Sequence, residues 1–177
     1  MSGTGHTVGI DPGNRESAYT VFDGIGQRII SFAKVDNNTL KGLLPRITAN
    51  ATHVFIEGIQ SYGMPVGKDV FETAYFIGRL METLERMECP ASMVFRKDVK
   101  MYWCNSLRAK DSNMIAAIVD RFDPGRRFGK YGKGVKADPG PLYGMSKDCW
   151  SSTAIAIYGS NIGIKTLSDV DHLKLKP

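Results

Sequence analysis

An α/β fold built on one mixed, five-stranded sheet is the architecture this sequence predicts, and three observations predict it. Two β-rich apolar runs, Thr7 to Ile10 and Thr52 to Ile56, each close on one carboxylate, Asp11 or Glu57, with a glycine just beyond. Between them lie two more strand-like runs separated by Asp23-Gly24 and Gly26, the mark of an antiparallel meander. Segments with apolar residues at helical intervals follow the meander and the later strands.

The elements follow in order. Residues 6–10 read as a strand stopped by Pro12-Gly13, and residues 17–22 and 28–35 complete the meander. Residues 37–49 carry Leu40, Leu43, Leu44 and Ile47 at helical spacing. Residues 52–57 return as a strand that a crossover makes parallel to the first, which puts Asp11 and Glu57 at one end of neighbouring strands. A long helix over 69–87 has Val70, Ala74, Ile77, Met81 and Leu84 along one face. That stripe suits core packing, while its near-heptad spacing and the added Phe71 and Phe76 leave room for a dimer seam. After the Pro90 break, residues 91–95 form the fifth strand, and residues 111–122 a shorter helix with Asp111 as its N-cap. Residues 147–157 have helical spacing and many small side chains, so this helix can lie close to the sheet with Asp148 in its first turn.

Length and charge set bounds on function. The 177 residues fit one domain, 1–177, with a full hydrophobic core. Lys and Arg number 23 against 18 Asp and Glu, a formal charge of +5. With a pI near 9.1, the expected partner is anionic, nucleic acid first. There is no signal-peptide pattern and no apolar run long enough to span a membrane, so a soluble, intracellular protein is expected. Cys89, Cys104 and Cys149 are odd in number and lack metal-binding spacing, and are expected to be buried, reduced thiols.

Asp before Pro-Gly is also ordinary turn chemistry, so Asp11 alone decides nothing. Glu57 and Asp148 are its company, and three convergent oxygen ligands suit Mg2+ or Mn2+. A basic protein that gathers carboxylates has a use for them in phosphodiester hydrolysis, where bound cations activate water and stabilise the leaving oxygen. One segment, residues 123–141, departs from globular composition and reads as a long surface loop. Its Arg126, Arg127, Lys130, Lys133 and Lys136, with Arg121 just before it and Phe128 and Tyr131 interleaved, either hold phosphates or solvate a mobile connector. Gln60, Tyr62 and Met64 follow Glu57 in a loop that could insert at a DNA strand exchange or be held by Tyr62 packing.

The order strand-acid, meander, strand-acid, long helix, strand, basic loop and acid on a final helix resembles the RNase H-like nuclease superfamily. Within it the chain resembles RuvC-type Holliday junction resolvases, in particular a phage-type branch. GIDPG at Gly9 to Gly13, FIEGIQSYGM at Phe55 to Met64, FRKDVK at Phe95 to Lys100 and PGPLYGMSKDCWSSTAIA at Pro139 to Ala156 carry the likeness. It implies a five-stranded mixed sheet flanked by helices and a homodimer. The implied activity is a divalent-metal-dependent endodeoxyribonuclease, with Mg2+ or substituting Mn2+, that nicks four-way and other branched DNA in a bacterial or phage-infected cytoplasm. Asp11, Glu57 and Asp148 match the family's acidic positions, and Arg96, Lys97 and Lys100 are expected to hold phosphates. The family often places a second acid or base one turn along the last helix, where this chain has Ser151. Lys147, a backbone group or water would then complete the site, or metal affinity is weaker, or the chain binds junctions without cutting them. GIDPG followed by a hairpin also resembles the first phosphate loop of sugar kinases and actin-like ATPases, but the length leaves no room for their second domain.

Overall fold

The computed structural model describes residues 5–60, 63 and 65–162. Five strands form one sheet in the order β3-β2-β1-β4-β5. They are β1 (His6–Asp11), β2 (Glu16–Asp23), β3 (Arg28–Asp36), β4 (Ala51–Glu57) and β5 (Ala91–Val94). The meander β1-β2-β3 is antiparallel, whereas β4 pairs parallel to β1 and β5 parallel to β4. This is the RNase H-like arrangement expected from the sequence.

Side-chain alternation sorts the strands into two faces. On one face Val8, Ile10, Val54 and Ile56 pack against α1 (Asn37–Ile47) and α2 (Lys68–Arg86) through Leu40, Leu44, Phe76 and Leu80. The opposite face takes α3 (Arg96–Cys104), α4 (Asp111–Phe122) and α5 (Lys147–Ile162). Helix α5 is apolar all round and buried along most of its length, so it is the central element of that face.

Helix α5 approaches β1 at Gly9. A Cβ there would lie 2.3 Å from the carbonyl oxygen of Ser152 and 2.5 Å from the nitrogen of Ala156. At Gly159 a Cβ would run into the Phe55 ring at 2.1 Å. Buried hydroxyls lock the register: Thr20 Oγ1 meets Ser152 Oγ at 2.8 Å and Thr153 Oγ1 at 3.0 Å, and Thr7 Oγ1 donates to the Ala156 carbonyl at 2.9 Å. Each such bond contributes only about 1 kcal/mol net, yet leaving one group unpaired costs about 1–3 kcal/mol. They therefore select one register for a helix that apolar burial drives onto the sheet.

Several expectations need correction. The buried stripe of α2 is Phe76, Ile77, Leu80 and Leu84, while Ala74 is exposed, because the helix is rotated relative to the anticipated stripe. Residues 96–104 form a helix, α3, that periodicity did not disclose, since only Val99 in it is buried. Asp111 is the first residue of α4 and pairs with Arg96; Lys110 holds the cap position, its N–H donating to Asn113 Oδ1 at 2.9 Å. The basic segment is folded, with a short hairpin of β6 (Gly134–Val135) and β7 (Asp138–Pro139). Buried Asp123 organises it by accepting from the N–H groups of Arg127 and Phe128, both at 2.9 Å. The three cysteines are free thiols, but only Cys149 is fully buried.

The Gly9 contact gives a stability prediction. Gly9→Ala should destabilise the protein by about 1–3 kcal/mol, the usual cost of overpacking. A urea midpoint lowered with unchanged slope would confirm it; an unchanged midpoint would show that α5 yields freely.

Candidate active site

The parallel register pairs Ile10 with Ile56, so Asp11 and Glu57 follow side by side at the carboxyl ends of β1 and β4. By alternation Asp11 lies on the same face as Thr7 and Gly9, under α5. The helix runs antiparallel to β1, since Ser152 and Ala156 cover Gly9 and Ala156 reaches Thr7. One turn before Ser152, Asp148 thus arrives at the Asp11 end. Local chain geometry and one helix register converge three carboxylates on one sheet end.

Their charges interact strongly. Burial pushes the Asp11 carboxyl up to about 8, reinforced by the charge of Glu57, a hydrogen bond shared with Glu57 and the charge of Asp148, against a smaller opposing effect of Arg96. Burial first, and the acidic neighbours second, thus hold the Asp11 carboxyl well above the ordinary aspartate range. Two basic side chains flank the cluster. Arg96 Nη1 lies 3.3 Å from Glu57 Oε1, and Arg96 Nη2 lies 2.6 Å from Asp111 Oδ1. Lys34 Nζ sits 2.8 Å from Asp148 Oδ2 and 3.1 Å from Glu16 Oε2, and these bonds hold its ammonium above the ordinary lysine range.

Among the described residues, no three His, Cys, Asp or Glu side chains stand close enough to hold a metal ion as they are placed. Asp11 and Glu57 form the pair, and Asp148 is next to them but turned to Lys34. The donor chemistry nonetheless fits a hard divalent ion: oxygen donors only, a buried carboxyl beside two further carboxylates, and one Asp148 oxygen outside the Lys34 bond.

The other anticipated residues are distributed as follows. Lys147 is exposed and makes no ion pair among the described residues. Gln60 lines a cleft of about 240 Å3 with Pro12, Glu57, Thr73 and Arg96. Tyr62 and Met64 lie outside the described residues. Lys97 is exposed and Lys100 half-buried, both on α3 and not on a strand end. In the basic segment Arg126 pairs with Asp120 at 2.5 Å, and Arg127 lies over the Phe128 ring and 4.0 Å from Asp138. Lys130 and Lys133 lie over Tyr131, Lys133 also 5.9 Å from the Trp150 ring, and Lys136 is exposed. Because Trp150 is two residues from Asp148, this stacking brings the basic segment to the carboxylate end of α5. Sequence reasoning missed Lys34; its only local signal was a charged residue in the otherwise apolar Phe32-Ala33-Lys34-Val35.

Most of the chain superposes on solved structures of the RuvC type. RuvC from Thermus thermophilus matches with a TM-score of 0.61 at 15% identity, covering 86% of this chain and 92% of that one. The chain has the fold of RuvC-type resolvases. The same RuvC in complex with a Holliday junction substrate matches with a TM-score of 0.62 at 13% identity, over 86% of this chain and 90% of that one. The yeast mitochondrial Holliday junction resolvase Ydc2 matches with a TM-score of 0.56 at 13% identity, over 89% of this chain and 78% of its own. No protein-family model matches the sequence, and no curated protein matches it.

The raised Asp11 carboxyl has a defined stability sign. Between the ordinary value of 3.8 and about 8 the unfolded chain releases a proton that the fold retains. Asp11 therefore destabilises the metal-free fold increasingly as pH rises through that window. Asp11→Asn should raise the melting temperature in chelator at pH 8, with the gain fading toward pH 4. A gain independent of pH in thermal unfolding would rule out proton retention by Asp11.

Proposed function

We propose that this chain is a divalent-metal-dependent endonuclease that nicks four-way DNA junctions, and related branched DNA, as a homodimer. The observation that carries the reading is the Asp11–Glu57 pair at adjoining strand ends with Asp148 brought over it by α5, in a fold of the RuvC type. Asp11, Glu57 and one Asp148 oxygen would hold Mg2+, with Mn2+ as a substitute. A bound ion of this kind activates the attacking water and stabilises the leaving oxygen of a phosphodiester.

The chain's own groups supply the rest. Asp11 would ionise once a cation took up the negative charge of the site. Arg96 keeps Glu57 oriented and, from the wall of the cleft, offers its guanidinium to a phosphate. Lys97, Lys100, Lys130, Lys133, Lys136, Arg126 and Arg127 form the basic surroundings for the DNA backbone, and each phosphate neutralised steepens the salt dependence of binding. Gln60, Tyr62 and Met64 are proposed to meet the unstacked bases at the strand exchange. Paired cuts require two sites related by a two-fold axis, and the exposed Phe71 and Tyr75 on α2 offer the apolar surface for a dimer.

Purified protein incubated with labelled four-way junctions and linear duplexes tests the reading. Cutting of the junction in Mg2+ or Mn2+, symmetrical across it, is expected, with the duplex spared. Asp11→Asn and Glu57→Gln should each slow cutting by about 100-fold or more, the scale of losing a group that stabilises transition-state charge. Both variants should still bind the junction. A folded protein inert in both metals would overturn catalysis, and tight junction binding in that case would leave a binding protein, the reading that Ser151 favours. Tyr75→Glu should convert the dimer to monomer in sedimentation and replace paired cuts with single nicks. An unchanged sedimentation coefficient would move the dimer seam away from α2.

A further inference from the structure

Lys34 is the unassigned group closest to the chemistry, and its placement is built into the sheet. Cross-strand register sets Asp11 opposite Ala18 and Ala18 opposite Lys34, so the three form one row on the α5 face. Neighbouring strands lie about 4.8 Å apart, so the backbone of Lys34 is about 10 Å from that of Asp11, within reach of a lysine side chain directed along the row. Ala18 between them is fully buried and too short to block the path. At the far end the ammonium meets Asp148 Oδ2 at 2.8 Å, and Glu16 Oε2 steadies it at 3.1 Å. One turn further along α5 stands Ser151 and not a second carboxylate, so that corner has Asp148 as its single anion on the helix.

We propose that Lys34, held against Asp148, supplies as a fixed ammonium the positive charge that a second divalent ion would otherwise bring, so that the chain takes one divalent ion and not two. Asp148 gives Oδ2 to Lys34, and its other oxygen would be left, with Asp11 and Glu57, to hold that ion. The ammonium would supply positive charge beside a reacting phosphate without coordinating water, and activating the nucleophile is the chemistry the ion would supply. This assignment rests on the metal-dependent reading above and specifies its stoichiometry. Lys34 is a charge-supplying, positioning residue that acts through Asp148.

Calorimetric titration of Mn2+ into the chelator-stripped full chain counts the ions directly, without reference to cutting. One Mn2+ per chain is expected for the wild type and for Lys34→Arg, none for Asp11→Asn, and two for Lys34→Gln. Circular dichroism confirms that each variant is folded, and the wild-type count stands whether or not Lys34→Gln folds. Two ions on the wild-type chain, or one on folded Lys34→Gln, would overturn the role of Lys34 and leave the metal-dependent nuclease intact. No Mn2+ bound by the wild type would overturn both.

Discussion

The packing of α5 on β1 at Gly9 is the contact on which the rest of the molecule depends. A helix backbone can come that close to a strand only where no Cβ intervenes, and Ser152 and Ala156 occupy the space that a side chain on residue 9 would need. Two consequences follow from that one approach. The helix is held in a single register by Thr7 and Thr20, and its first turn is carried to the end of β1 where Asp11 stands. Moved outward by a methyl group, α5 would lift Asp148 away from the strand-end carboxylates and loosen the cluster.

Electrostatics then dominate the site. Three carboxylates brought to one sheet end under a buried helix repel one another, and burial together with that repulsion raises the Asp11 carboxyl. Arg96 and Lys34 each engage one of the other two, which limits the repulsion without removing it. A basic protein with an overall charge of +5 thus gathers three carboxylates at one sheet end. Such a cluster repels any anion unless a cation intervenes.

The basic segment is part of the same construction. Buried Asp123 caps its first turn, and Gly140 lies so close to the Gly132 carbonyl, with a Cβ at 2.3 Å, that the hairpin closes on itself. Stacking of Tyr131 against Trp150 joins it to the first turns of α5. Its lysines and arginines are consequently carried on a folded platform joined to the first turns of the helix that bears Asp148.

Local sequence alone determined the five strands, and a crossover made the fourth parallel to the first, because an apolar β-rich run ended by an acid and a turn is short-range information. It also marked Asp148, through the small residues that follow it on the last helix. Tertiary structure decided what depends on neighbours distant in the chain. The rotation of α2 follows from which side chains the sheet accepts, so Phe76 and Leu80 are buried where Ala74 had been anticipated. Helix α3 is amphipathic only weakly in sequence and is held by packing across the α5 face. Lys34 is the clearest case: in its own strand it is one charged residue among apolar ones, and only the cross-strand row through Ala18 and the arrival of α5 make it the partner of Asp148. The difference is physical, since propensity and alternation act over a few residues, whereas the pairing of charges depends on the folding of the whole sheet beneath one helix.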